Sequence, residues 1–398
     1  MSISNDSFGF GSNVTGGSGT TTKVDSKQGL IDALTGSNLA NKIVEIDEAK
    51  SGNYDFGGMG DGQSLAISAK SVTIRAAANA KPVLKNVQFK IEIDKSDNVL
   101  IQDLIFRSDG KPDHARDAIL FNTTVPNANA SGTNAVGLRV THCSFDGYYD
   151  MSIEARGAEG RPRILATIDH CLFFDNHPGD PADSFYDRGG VNLAVALPVS
   201  DNEASAERKG NARVTVANNV FIRVWRRMPR VAQANVGHAF NNLLFQWGYT
   251  GDSTRPQTSW NATPVGSDET LGAKALIQAN RFLPWDKKTD LNHAIAIDPG
   301  TSADINLDKG RPNLRPNRFD DPDGKPLAHD PDLKGPFSKL TAADLYSAES
   351  LPEPKVLAAS DVNWTNTLDE SGPRRTFDKD DPITNAKDHA RSRVSAGS

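Results

Sequence analysis

The segment GYYDMSIEARG carries two acids, Asp150 and Glu154, on a stretch whose composition reads as a strand. Successive side chains of a strand point to opposite faces. Met151 and Ile153 are therefore expected inside, with Asp150, Ser152 and Glu154 outside. Two carboxylates two steps apart on one face can share a cation. A third acid, Asp117 in HARDAILF, stands at the mouth of an earlier strand. Hard carboxylate oxygens of this number suit calcium, with water and substrate completing a shell of about six to eight oxygens. The plainer alternative is three solvated acids on a sheet face. Downstream, the pentapeptide RRMPR gathers Arg226, Arg227 and Arg230 between two similar phrases, VANNVF and AFNNLL, which lie 23 residues apart.

The phrases belong to a longer series. An aliphatic residue, a small polar residue or Cys, and an apolar residue recur in VLIQDLIF, LRVTHCSF, LATIDHCLF, VTVANNVF, HAFNNLLF and LIQANRF, with a weaker copy in VTIRAAA. In register, Val140, Ile168, Val216, Ala239 and Ile277 form one column. Cys143, Cys171, Asn219, Asn242 and Asn280 form a second, and Phe145, Phe173, Phe221, Leu244 and Phe282 a third. The copies are 23 to 48 residues apart, too irregular for helical-hairpin repeats. Short segments rich in β-branched and aromatic residues, joined by loops of unequal length, describe a parallel β-solenoid. Asn at an inward turn can ladder, because its amide both donates and accepts along the stack. The two cysteines share that column and are expected as stacked buried thiols.

A solenoid needs its open ends covered. KQGLIDALTG places Leu30, Ile31 and Leu34 at helical spacing and supplies an N-terminal lid, with Gly36 as its stop. The expected organisation is a β-helix with its cap over 1–300 and an irregular extension over 301–398, packed along the body. Within the extension TAADLYSAESL reads as a short helix, and the last fifteen residues read as frayed.

Composition sets the outer bounds. With 398 residues the chain can bury a substantial core, and 37% hydrophobic with 24% charged residues fits a folded globular protein. A net charge of −6 gives no reason to expect a nucleic acid or an anionic membrane as partner. No apolar run approaches the ~20 residues of a membrane span. Two cysteines are too few for a disulfide framework or a structural zinc site. The N-terminus shows neither a basic start nor an apolar signal core, so the sequence is read either as not exported by that route or as a mature form.

In order along the chain, FGFGSNVTGGSGTTTKVDSKQGLIDAL, LRVTHCSFDGYYDMSIEARG, VTVANNVF, RMPRV followed by GHAFNNLL, and AKALIQANRF resemble the successive motifs of the pectate lyases of polysaccharide lyase family 1. The resemblance spans roughly residues 8 to 285. It implies an all-β, right-handed parallel β-helix and a secreted, calcium-dependent lyase that cleaves pectate or another uronate-containing polysaccharide by β-elimination. By resemblance, Asp117, Asp150 and Glu154 are the calcium ligands, and Arg227 is the base that takes the proton from C5 of a uronate. The partner is then an acidic polysaccharide, and the chain is read as a monomer.

Three positions depart from the family pattern. Ala115 replaces a further acid, Ala232 replaces a second Arg, and the place of a substrate-binding Lys falls near His177-Pro178. Arg230 is the candidate to clamp a substrate carboxylate in place of the missing Arg. His177 is a candidate substrate contact, or a base with an ordinary pKa near ~6.5, set against a turn cap before Pro178. The long segment 178–210 contributes Asp180, Asp183, Asp187, Arg188 and Lys209 as weaker substrate contacts. Trp225 is the candidate to stack on a sugar ring, whereas Trp247 and Trp260 are expected to pack. Two other functions remain open. One is a non-catalytic carbohydrate-binding β-helix such as an adhesin or tail spike. The other is a β-helical glycoside hydrolase using Asp180 and Asp183.

Overall fold

Each recurring phrase bends at one residue into left-handed backbone. Asp103, His142, His170, Asn218, Asn241 and Ala279 have φ of 60°, 52°, 52°, 56°, 53° and 54°. Asn, Asp and His tolerate that region better than other non-glycine residues, which accounts for the pairs DL, HC and NN in the repeats; Ala279 takes the same corner without that preference. Each corner ends a strand of one sheet and begins a strand of another.

A computed structural model describes residues 8–395 except 36–38, 51–53, 58–63, 111–116, 123–134, 149, 158–160, 176–188, 196–209, 225–226, 232–234, 248–262, 266–273, 288–290, 292–293, 298–303, 307–316 and 329–340. Its strands form three sheets, of ten, eight and ten strands, in which successive coils lie side by side. The described pairings are parallel apart from Arg318–Asp320 against Pro326–Leu327. The chain is an all-β solenoid, a right-handed parallel β-helix.

Like residues stack as the columns require. Val140 pairs with Ile168, Ile168 with Val216, Val216 with Ala239 and Ala239 with Ile277. The aromatic column runs Phe106, Phe145, Phe173 and Phe221, with ring centroids 5.2, 5.0 and 4.6 Å apart. It passes through Leu244 to Phe282 and Phe319. The amide column is a ladder: Asn219 Nδ2 donates to Asn242 Oδ1 at 3.1 Å, Asn242 Nδ2 to Asn280 Oδ1 at 2.9 Å, and Asn280 Nδ2 to Asn317 Oδ1 at 3.0 Å. Cys143 and Cys171 continue it as free buried thiols. Trp247 is buried in the same core.

The chain's ends cover two of the three outer faces. Helix α1 (Lys27–Thr35) lids the N-terminal end with Leu30 and Leu34 buried; Gly36 lies outside the described residues. The Gly-rich lead crosses the first sheet so closely that a Cβ on Gly11 would meet the Leu138 carbonyl at 2.6 Å. There Phe10 stacks on Tyr346 of α2 (Ala342–Ser347), the short helix expected in TAADLYSAESL.

Beyond residue 300 the coil continues, with Asp304–Asn306 and Arg318–Asp320 adding to the first and third sheets. As far as Ser395 the end of the chain is not frayed. Helices α3 (Trp364–Glu370) and α4 (Pro382–Ser395) bury Trp364, Leu368, Ile383, Ala386, Ala390 and Val394 on the third sheet. The i, i+3, i+4 spacing of Ile383, Ala386, Ala390 and Val394 carries that apolar stripe, which the polar composition of the segment hides. The tail is pinned by Arg374, which grips Asp103 through Nε at 3.0 Å and Nη2 at 2.6 Å.

Candidate functional site

The second sheet carries every described candidate. In chain order its central strands are β1 (Gln88–Glu92), β2 (Ile119–Asn122), β3 (Met151–Gly157), β4 (Gly189–Val195) and β5 (Arg230–Val231), each paired in parallel with the next. Register aligns Leu120, Glu154, Asn192 and Arg230 in one row across β2 to β5. Arg230 thus leaves the same face as Glu154, two strands away, or roughly 9–10 Å along the sheet.

Asp117 sits just before β2 and is fixed from both neighbouring coils. Its Oδ2 accepts from Gln88 Nε2 at 3.0 Å and its Oδ1 from the Met151 amide at 3.1 Å. Asp150 directly precedes β3, and Glu154 lies within it. All three acids are buried, at 2%, 8% and 5% exposure, so the reading as solvated surface groups does not hold. Burial pushes the Asp117 carboxyl well above its usual range. The charges of Glu154 and Asp150 push the same way, while Arg156 and the Met151 amide oppose them. Three mutually repelling buried acids are the arrangement expected where a cation is handled.

Arg227 enters from the turn before β5, its backbone fixed by the Val191 amide donating to its carbonyl at 2.7 Å. A side chain on Gly190 would strike the Phe221 ring at 2.6 Å and approach that carbonyl at 3.2 Å, so the bare backbone at Gly190 lets the turn settle against β4. The guanidinium reaches back over two strands. Nη1 lies 3.6 Å from Met151 Sδ and 4.0 Å from Asp150 Oδ1. Met151 was expected inside with Ile153. Both are fully buried, and the Met151 sulfur, at the start of its strand, also meets Arg227.

The structure thus brings Asp117, Asp150, Glu154 and Arg227 to one face, with Arg230 aligned beside them. His177, Arg188 and Trp225 lie outside the described residues, as do Asp180, Asp183, Asp187, Lys209 and Trp260. Two participants went unread in the sequence. Gln88 orients Asp117 from the preceding coil, and nothing local to Gln88 signals it. Arg156 contacts Glu154, with Nη2 at 2.5 Å from Oε2. The alternation in IEAR already placed Arg156 on the face of Glu154.

The donor chemistry of the acids, three hard carboxylates, fits calcium. As the side chains stand, no group of three or more His, Cys, Asp or Glu among the described residues is arranged to hold a metal ion. Arg156 occupies Glu154, and Asp117 is engaged by Gln88 and Met151.

No protein-family profile matches the chain, and no curated protein matches it in sequence. Solved structures do. A pectate lyase from Paenibacillus sp. 0602 superposes with a TM-score of 0.57 at 15% identity, over 95% of this chain and 97% of the other. Pectate lyase II from Xanthomonas campestris pv. campestris gives 0.53 at 18%, over 92% and 97%. A pectate lyase bound to a hexasaccharide gives 0.54 at 14%, over 92% and 97%. At such identities the likeness is one of fold, and it runs nearly end to end. Sheet order, stacked columns and these superpositions agree that the chain has the pectate lyase-like fold.

Proposed function

We propose that the protein is a polysaccharide lyase, acting outside the cell on a uronate-containing polysaccharide, with polygalacturonate first among the candidates. The observation that carries this reading is the approach of Arg227 to the buried acids, 4.0 Å from Asp150 on the one sheet face. The pectate lyase-like fold supports it.

Asp117, Asp150 and Glu154 would hold calcium once Glu154 exchanges its arginine partner for the ion. When bound, calcium supplies Lewis-acid withdrawal of charge from the uronate carboxylate, which acidifies the neighbouring C5–H. Arg227 takes that proton, the electron pair forms the C4–C5 double bond, and the C4–O4 bond breaks, with O4 leaving to be protonated. Arginine is an unusual base, since it is normally charged throughout the accessible pH range. The Asp150 carboxylate faces the guanidinium at 4.0 Å, and bound calcium would engage that charge elsewhere. Arg230, further along the same face, would meet a second carboxylate of the polymer.

The test is a panel of uronate polymers incubated with the protein, with and without chelator, and followed by ultraviolet absorbance of the unsaturated product. Native protein with calcium should generate product. Arg227→Ala and the chelated sample should not. Full activity in Arg227→Ala removes Arg227 as the base. Retained polymer binding with no product on any substrate favours the carbohydrate-binding reading.

A further inference from the structure

Arg156 stands two residues beyond Glu154 on the same face of β3, and its Nη2 lies 2.5 Å from Glu154 Oε2. Glu154, Asp117 and Asp150 all lie close enough to act on this one guanidinium. The Arg156 side chain is 33% exposed and Glu154 only 6%. Of the pair, the cation is therefore the one on the solvent side and the acid the one enclosed. A divalent ion held by both oxygens of Glu154 would need the one that Arg156 now holds.

We propose that Arg156 is the built-in counter-cation of this acid cluster, and that divalent-ion binding here is an exchange in which the ion displaces the guanidinium from Glu154. The inference rests on the calcium part of the function proposed above. It accounts for the arrangement of the acids, which are set around a guanidinium rather than around a common point for a metal. It also gives the displaced group a use. A guanidinium freed on this face presents a planar fork suited to a carboxylate, so ion binding would release a binding group for the uronate chain.

The experiment is calcium titration calorimetry on chelator-stripped native protein, Arg156→Gln and Arg156→Lys, with circular dichroism confirming the fold of each. Exchange predicts that Arg156→Gln, freed of the competing guanidinium, binds calcium about tenfold tighter than native protein or more. Arg156→Lys, which keeps the charge but loses the fork, should fall between. Without calcium, Arg156→Gln should melt below native protein, and calcium should raise its melting temperature by more. If Arg156→Gln does not fold, Arg156→Lys carries the test alone. Equal or weaker affinity in the folded variants overturns the proposal and leaves Arg156 as a support for Glu154. Calcium binding by Arg156→Gln but not by native protein supports exchange while removing calcium from the native function. Binding by none of the three overturns exchange and the calcium requirement together, and the product assay on native protein then reports separately whether elimination occurs.

Discussion

Arg227 Nη1 stands 4.0 Å from Asp150 Oδ1, so a cation from the turn before β5 faces an anion at the mouth of β3, two strands away. Neither side chain is more than 13% exposed, which keeps water from screening the pair fully. Asp150→Asn keeps the shape and removes the charge. The calcium concentration needed for half-maximal turnover should rise about 10–100-fold, with secondary structure unchanged. Titrating calcium in the product assay checks this, and an unaltered requirement would take Asp150 out of the site.

The aromatic column should be the most costly place to cut. Phe173 is fully buried between Phe145 and Phe221, at centroid distances of 5.0 and 4.6 Å. Phe173→Ala should lose about 3–5 kcal/mol of stability, since neighbouring coils cannot collapse into the gap. Urea denaturation measures this directly, and a loss below ~1 kcal/mol would mean that the coils repack freely.

One ion pair ties the start of the tail to a corner of the solenoid. Asp103 is buried and accepts from the Arg374 backbone amide as well as its side chain, and this arginine holds the carboxyl below its usual range against the opposing effect of burial. Arg374→Ala should leave that carboxylate poorly satisfied and cost about 1–3 kcal/mol. Amide hydrogen exchange should show faster opening in residues 356–395 than in the sheets. Uniform protection across the chain would show that the helices hold the tail without this pair.

On acidification the buried histidines should lower stability, against the raised carboxyls of Asp117 and Asp146, which take up protons in the folded state. Burial pushes both His142 and His238 down to about 3. For His142, His170 and Arg374 add to the shift, while Asp169 and Asp103 oppose it. Unfolded histidine binds its proton near ~6.5. Between there and about 3 the unfolded chain takes up protons that the native histidines exclude, so each histidine contributes a loss of stability as pH drops. The slope is up to ~1.4 kcal/mol per pH unit for each histidine. His142→Asn should keep the left-handed corner, which Asn accepts, and flatten the slope. Urea midpoints at pH 7, 6, 5 and 4 for both proteins test this, and parallel curves would show that His142 does not contribute.

Much of the fold was legible because a solenoid stacks like on like. Asn219, Asn242 and Asn280 recur at one place in the phrase, and that recurrence fixed both the ladder and the order of the coils. The corner residues were visible too, although the chain shows only in three dimensions that His142 and His170 are there to accept φ near 52°. The C-terminal helices were not legible, since Ile383, Ala386, Ala390 and Val394 form a thin stripe in a segment that is otherwise polar.

The amino-acid sequence by itself determined the columns, the strand faces and the identity of the acids and arginines, because period-two alternation and stacking are local rules that composition obeys. Only the tertiary structure decided the partnerships. Gln88, Asp117 and Met151 meet across three coils, Arg227 reaches Asp150 across two strands, and Arg156 rather than an empty space lies against Glu154. The physical reason is that a side chain's charge environment depends on coil stacking, which brings together residues as much as 77 positions apart, while loop lengths between coils obey no rule the sequence displays.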